Sequence, residues 1–248
     1  MLEYDYIVAE GLNAQEKAAL ASVADKIRNS RILDIGVGAG RTVRPLRAIS
    51  ENYLGVDYVQ EMVEHCRAGY PGVRFERLDA REMSTLKAES FDLVFFSCNG
   101  ICMVDHAGRI AILKEVRRVL AAGGVFIFSA CNRNSPQYEI PFHFPDFQRT
   151  SNPVKLLVRA ARFVTQVGYR LINRRRNRRH EIRTDEYAVI NDVYHHYRTM
   201  LYFIDLPRQH AQLSEAGFAG GVATFDLSGR PADNDCRDGT VIFVVSKS

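Results

Sequence analysis

Short apolar runs and amphipathic segments alternate along this chain. The runs near 31–35, 53–56, 73–77, 91–97 and 124–130 have the length and continuity of buried strands. Between them lie stretches with helical spacing, among them Gly108 to Leu120, where Ile110, Leu113, Val116 and Leu120 share one side. An earlier helix is predicted from Asn13, with Glu16 three residues on as in a capping box and Leu20, Val23 and Ile27 along one face. The chain closes with a helix from Pro207 to Ala216, a Gly217-Phe218 exit, a strand at Val222 to Leu227 and a last strand at Thr240 to Ser246. Strands alternating with helices in this way predict the α/β class and a doubly wound parallel sheet.

The first strand runs into an unusual turn, Ile32-Leu33-Asp34-Ile35-Gly36-Val37-Gly38-Ala39-Gly40-Arg41-Thr42. Glycine lets the chain turn sharply and the backbone approach a ligand, while the helix that follows offers free N–H groups. The spacing D-x-G-x-G-x-G differs from the G-x-G-x-x-G of dinucleotide binders, which argues against a nicotinamide-dependent enzyme. The next strand, Tyr53-Leu54-Gly55-Val56, ends in Asp57, where a carboxylate at a strand tip can accept both hydroxyls of a ribose. A third strand candidate ends in Asp79-Ala80-Arg81 and a fourth in Ser97-Cys98-Asn99-Gly100. Each of these aspartates also has a plainer reading as a turn former or helix cap.

In these residues, from about Arg31 to Ala130, the chain resembles the class I S-adenosylmethionine-dependent methyltransferases. The resemblance implies S-adenosylmethionine as cofactor and a seven-stranded sheet of order 3-2-1-4-5-7-6 whose last strand is antiparallel. It implies a cofactor site that begins with Asp34, Gly36, Gly38, Gly40 and Arg41 in the turn and continues through Asp57 and Tyr58. Asp79 then takes the adenine amino group, Ala80 donates its backbone N–H, Arg81 follows them, and Ser97 and Asn99 stand where the family lines the methyl-transfer site. Met62, one helical turn beyond Asp57, either contacts the adenine or packs as a core methionine, and Tyr4 and Tyr6 either fold over the cofactor as a flap or pack ordinarily. Members of the family often carry Lys-Pro before the glycine pair that precedes strand five, where this chain has Ala121-Ala122-Gly123-Gly124. That departure concerns a helix exit.

Composition narrows the class without changing it. With 248 residues, 46% of them apolar, the chain is expected to fold as one catalytic domain over 1–248. No apolar stretch approaches the ~18 residues of a membrane span, and the first residues lack the pattern of a secretory signal, so the expected location is cytoplasmic. Five cysteines without a C-x-x-C pair read as reduced residues, and Cys98-x-x-x-Cys102 has only His106 nearby in sequence, so no metal site is expected.

After strand five comes an insertion, 131–198, expected to be mostly helical and to carry acceptor specificity. It opens with an aromatic, proline-rich lip from Ser135 to Pro145 and continues with an amphipathic helix, Val154 to Ile172, with Leu157, Ala161, Val164, Gly168 and Leu171 on one face. Then follows Asn173-Arg174-Arg175-Arg176-Asn177-Arg178-Arg179-His180. From Ser151 to Arg183 ten basic residues stand against the single Glu181, a net of +9 in a chain whose total is +4, so the remainder is acidic by 5. The cluster reads as a solvated helix end, as a site for an anionic acceptor, as a contact with an anionic membrane surface bearing a lipid-linked acceptor, or as a nucleic-acid contact. No recognisable nucleic-acid module accompanies it, which disfavours the last.

Methyl transfer to a hydroxyl is an in-line displacement that needs a base to take the proton. Histidine titrates in the useful range, and the candidates are His106, His143, His195 and His196, with His195 and then His196 favoured because they lie late in the insertion. The expected activity is S-adenosylmethionine-dependent methylation of a small or lipid-linked molecule, at a hydroxyl of a sugar or secondary metabolite. An RNA-modifying methyltransferase and a non-catalytic S-adenosylmethionine-binding sensor or scaffold stand as alternatives.

Overall fold

The computed structural model describes residues 11–139, 142–147, 149–193 and 195–248. Tyr4 and Tyr6 lie outside them. The expected first helix is two pieces, α1 (Ala14–Ala21) and α2 (Ala24–Ile27), and Asn13 and Glu16 form the capping box in full. The Rossmann-like core then runs β1 (Ile32–Ile35), α3 (Val43–Ile49), β2 (Tyr53–Asp57), α4 (Gln60–Gly69), β3 (Arg74–Arg77), β4 (Phe91–Phe96), α5 (His106–Val119) and β5 (Leu120–Asn132). The insertion contributes α6 (Pro153–Arg178), β6 (Ile182–Arg183), β7 (Ala188–Asn191) and β8 (Met200–Ile204). The chain ends with α7 (Leu206–Glu215), β9 (Val222–Phe225) and β10 (Thr240–Ser246).

Side chains alternate across the central strands, and both faces are covered, which is why the strands read as unbroken apolar runs. Leu93 and Phe95 of β4 and Val125 and Ile127 of β5 meet α1, α3 and α4 through Leu20, Leu46 and Val63. Val94, Phe126 and Phe128 point the other way, to Leu113 and Val116 of α5 and Leu213 of α7.

Strands β3-β2-β1-β4-β5 are parallel, β10 adds antiparallel to β5, and β9 adds antiparallel to β10. This is the expected seven-stranded order with its antiparallel last strand. The insertion is mostly helical, as expected, and it carries in addition a short ribbon. After its 26-residue helix comes the antiparallel ribbon β8-β7-β6, and His195 and His196 lie between β7 and β8, ahead of the strand that rejoins the sheet. The ribbon is joined to the main sheet because β5, at 13 residues, outruns β4. Cys131 pairs with Thr240 of β10 and also with Phe203 of β8, so β8 takes the edge that β4 vacates. The ribbon thereby stands over the carboxyl ends of the parallel strands, where open α/β sheets bind their ligands.

Candidate functional site

Two cavities lie under this ribbon. The first, about 670 Å³, is walled by Gly36, Asp57, Asp79, Ala80, Arg81 and Ser97, with Leu78 and Ile112 supplying apolar surface. The glycine turn that frames it bends through left-handed backbone at Gly38 (φ +51°) and Gly40 (φ +90°). A Cβ at Gly40 would come within 2.8 Å of the Tyr70 ring, so this position is closed to larger residues on both counts. Asp57 sits at the end of β2, where its Oδ2 accepts from the Gly38 N–H at 2.9 Å and its Oδ1 from the Val59 N–H at 3.0 Å. The carboxylate is therefore held in one orientation at the cavity wall. Asp79 accepts from the Arg81 side chain at 2.6 Å, and this guanidinium holds its carboxyl below the usual range. Tyr58, largely exposed, also faces this cavity.

Several expected cofactor residues lie elsewhere. Asp34 is fully buried and reaches neither cavity. Its Oδ2 accepts from Thr42 Oγ1 at 2.6 Å and Tyr53 Oη at 2.7 Å, and burial pushes its carboxyl up to about 7. It anchors the turn from below. Arg41 likewise stays out of the cavity walls, because the buried Glu16 of α1 takes its guanidinium at 2.6 Å. The same side chain donates to Ser97 Oγ at 3.1 Å and Cys98 Sγ at 3.0 Å, which ties α1 to the tip of β4. Met62 lies half-buried on α4, outside the lining of the cavity, as do Gly38 and Gly40.

At the tip of β4 the backbone is strained. Cys98 (φ +52°) and Asn99 (φ +57°) are consecutive non-glycine residues in the left-handed region, each costing on the order of 1–3 kcal/mol. Two bonds hold Asn99 there, its N–H to Ser129 Oγ at 2.7 Å and its Nδ2 to Thr240 Oγ1 at 2.9 Å, while its buried Oδ1 has no partner among the described residues. Cys98 and Met103 belong to the walls of both cavities.

The second cavity, about 630 Å³, is built by the insertion and includes Asn99, Tyr138, Arg174, Arg178, Arg183 and His195 in its wall. His195 bonds through Nδ1 to Asp192 Oδ2, and its backbone N–H donates to the same oxygen at 2.9 Å. Asp192 is nearly buried, whereas the His195 ring is 57% exposed, so the pair presents imidazole to the cavity and hides the carboxylate. His196 does not line the cavity: its Nδ1 accepts from Arg170 Nε at 3.2 Å on the α6 side. His106 is stacked on Tyr187 and bonded to Tyr202 Oη, and His143 is held through its backbone by Tyr197 and Arg170. Arg174 lies over the rings of Phe142 and Tyr197, and Arg183 donates to Tyr138 Oη at 3.2 Å.

Residues 32–124 match the family model described as "Methyltransferase domain". The match takes in the first four strands and the start of β5, and over it the chain carries a methyltransferase domain. It is 29% identical over 138 residues to a ubiquinone biosynthesis O-methyltransferase of Roseobacter denitrificans, covering 54% of this chain and 53% of that one. It thus spans about half the length of the curated relatives it matches. Among solved structures, an S-adenosylmethionine-dependent methyltransferase from Mesorhizobium loti superposes with a TM-score of 0.62 at 21% identity, covering 94% of this chain and 98% of that chain. The amino pentose methyltransferase CalS10 of Micromonospora echinaspora superposes at 0.59 with 18% identity, covering 100% and 96%. These likenesses establish the fold.

The ends of the parallel strands supply most of the first cavity, with Ile182, Val189 and Met200 of the ribbon closing it, and the insertion supplies most of the second. Sequence reasoning missed Asp192, Tyr138 and Arg183 as parts of the second cavity. For Asp192 a signal was present in its position three residues before His195, the spacing of one turn.

Proposed function

We propose that the protein transfers the methyl group of S-adenosylmethionine to a hydroxyl of a small acceptor that also carries a carboxylate or phosphate. The donor group fits the first cavity on the chemistry of its walls. A fixed carboxylate at Asp57 suits a ribose diol, Asp79 and the Ala80 N–H suit the edge of an adenine, and Leu78 and Ile112 suit its faces. Bound there, S-adenosylmethionine supplies an electrophilic methyl on a sulfonium.

The observation that carries the reading is the pair His195–Asp192, in the wall of a second cavity that meets the first at Cys98 and Met103. Because a carboxylate accepts, Nδ1 of His195 carries the proton that points to Asp192, which leaves the Nε2 lone pair for the acceptor hydroxyl. As the oxygen–methyl bond forms and the sulfur–methyl bond breaks, the hydroxyl proton passes to Nε2, and Asp192 stabilises the imidazolium. Arg174, Arg178 and Arg183 supply the positive charge that an anionic substituent would meet. O-transfer is also the chemistry named for the R. denitrificans relative.

The test is calorimetric titration with S-adenosylmethionine and S-adenosylhomocysteine, followed by methyl-label transfer into pools of hydroxy acids, sugar phosphates and neutral sugars. Both ligands should bind, and label should enter the anionic pools. Binding without label in any pool would favour a sensor, and label confined to neutral sugars would remove the anionic substituent from the reading.

A further inference from the structure

The longest helix of the protein turns its apolar side outward. In α6 the positions Val154, Leu157, Val164 and Ile172 are 70%, 74%, 68% and 67% exposed, and Ala161 and Leu171 lie on the same stripe. A Cβ built at Gly168, in the middle of the stripe, would meet nothing within 4 Å. The helix is attached to the protein chiefly by polar groups, with Phe163 edge-on to Phe147 as an apolar contact. Arg170 donates to the carbonyl of His143, Asn173 to that of His196, and Asn177 to those of Tyr197 and Arg198. A polar face spent on backbone carbonyls and an apolar face left bare is the reverse of an ordinary surface helix.

Charge identifies the occupant. From Pro153 to Arg178 the helix holds Lys155 and seven arginines and no acidic residue. Lys155 and Arg162 lie together to one side of the apolar stripe, and Arg175 and Arg176 follow it at the carboxyl end. A second copy of this chain docking here would set cations against cations. Nucleic acid would complement the cations but leave the apolar stripe in water. Among the described residues no helix is long and apolar enough to cross a membrane, so a lipid contact made by α6 lies along the surface.

We infer that α6 lies in the interface of an anionic lipid bilayer, its Val154–Ile172 stripe among the acyl chains and Lys155, Arg162, Arg175 and Arg176 among the headgroups. The inference rests on the exposed face alone and is independent of the acceptor.

Flotation of the full chain with vesicles tests it. Protein should float with vesicles of phosphatidylcholine mixed with phosphatidylglycerol, stay behind with phosphatidylcholine alone, and be released by salt. Leu157→Glu combined with Val164→Glu should cut recovery at least tenfold, as should Arg175→Ala with Arg176→Ala, while calorimetry and circular dichroism show each variant folded and still binding S-adenosylhomocysteine. Equal flotation of folded variants and wild type would overturn the inference. So would a wild-type dimer in sedimentation velocity that Leu157→Glu/Val164→Glu converts to monomer, or binding to RNA without binding to either vesicle.

Discussion

The backbone N–H of Gly38 donates to Oδ2 of Asp57 across 2.9 Å, joining the turn after β1 to the end of β2. One carboxylate therefore fixes the glycine turn and faces the first cavity. Asp57→Ala removes both roles and should weaken S-adenosylmethionine binding by roughly 1–3 kcal/mol, about 5- to 150-fold in affinity. Calorimetric titration of the folded variant checks this, and an unchanged dissociation constant would free Asp57 of the ribose.

His195→Ala should lower kcat by about 10²- to 10⁴-fold with little change in the affinity for S-adenosylmethionine, because the ring belongs to the wall of the acceptor cavity. Asp192→Asn should follow it in direction. His196→Ala should leave kcat within a few-fold, since that ring is bonded to Arg170 outside the cavity. Steady-state kinetics on the three variants distinguish these roles, and a large loss at His196 with none at His195 would reverse the assignment.

Arg174→Ala and Arg178→Ala should each raise the acceptor KM by roughly tenfold or more, as expected for loss of a charge-assisted contact of about 1.5–3 kcal/mol. Arg174→Lys keeps the charge but loses planar stacking on Phe142 and Tyr197, so it should recover part of the loss. A fall in kcat alone, at unchanged KM, would place these residues with the transfer chemistry instead.

Burial raises the Asp34 carboxyl from 3.8 to about 7, so the folded state holds a proton there that the unfolded chain has released. Stability from this group is complete below pH 4 and falls as pH rises towards 7, by up to about 4 kcal/mol. Denaturant unfolding of wild type and Asp34→Asn between pH 4 and 8 should show the variant losing that decline. Curves that stay parallel across the interval would mean that Asp34 does not titrate there.

The core sheet was legible because its strands are covered on both faces and so form short continuous apolar runs, each closed by a polar residue at its tip. Asp57, Asp79 and Ser97 follow such runs and stand together in one wall. Asp34 and Arg41 belong to the same motif but are claimed by partners that local spacing does not reveal, Tyr53 on the next strand and Glu16 on α1. The ribbon β6-β7-β8 escaped notice since its strands are two to five residues long and separated by polar turns. Amphipathic spacing in α6 identified which side is apolar. It carried no information on which side the rest of the chain covers, and Arg170, Asn173 and Asn177, which bond to carbonyls of residues 143 and 196–198, reversed the ordinary choice.

Because β5 continues past β4 to carry β8 on its freed edge, the roof over the acceptor cavity is woven into the same sheet that holds the floor. Such a roof cannot swing away as a hinged flap without tearing ladder bonds at Cys131 and Asn132. On the proposed function, acceptor and product exchange through side-chain and turn movements around His195. The tailoring of this scaffold to different acceptors can then proceed by changing the three short strands and their turns, with the cofactor half left as it is.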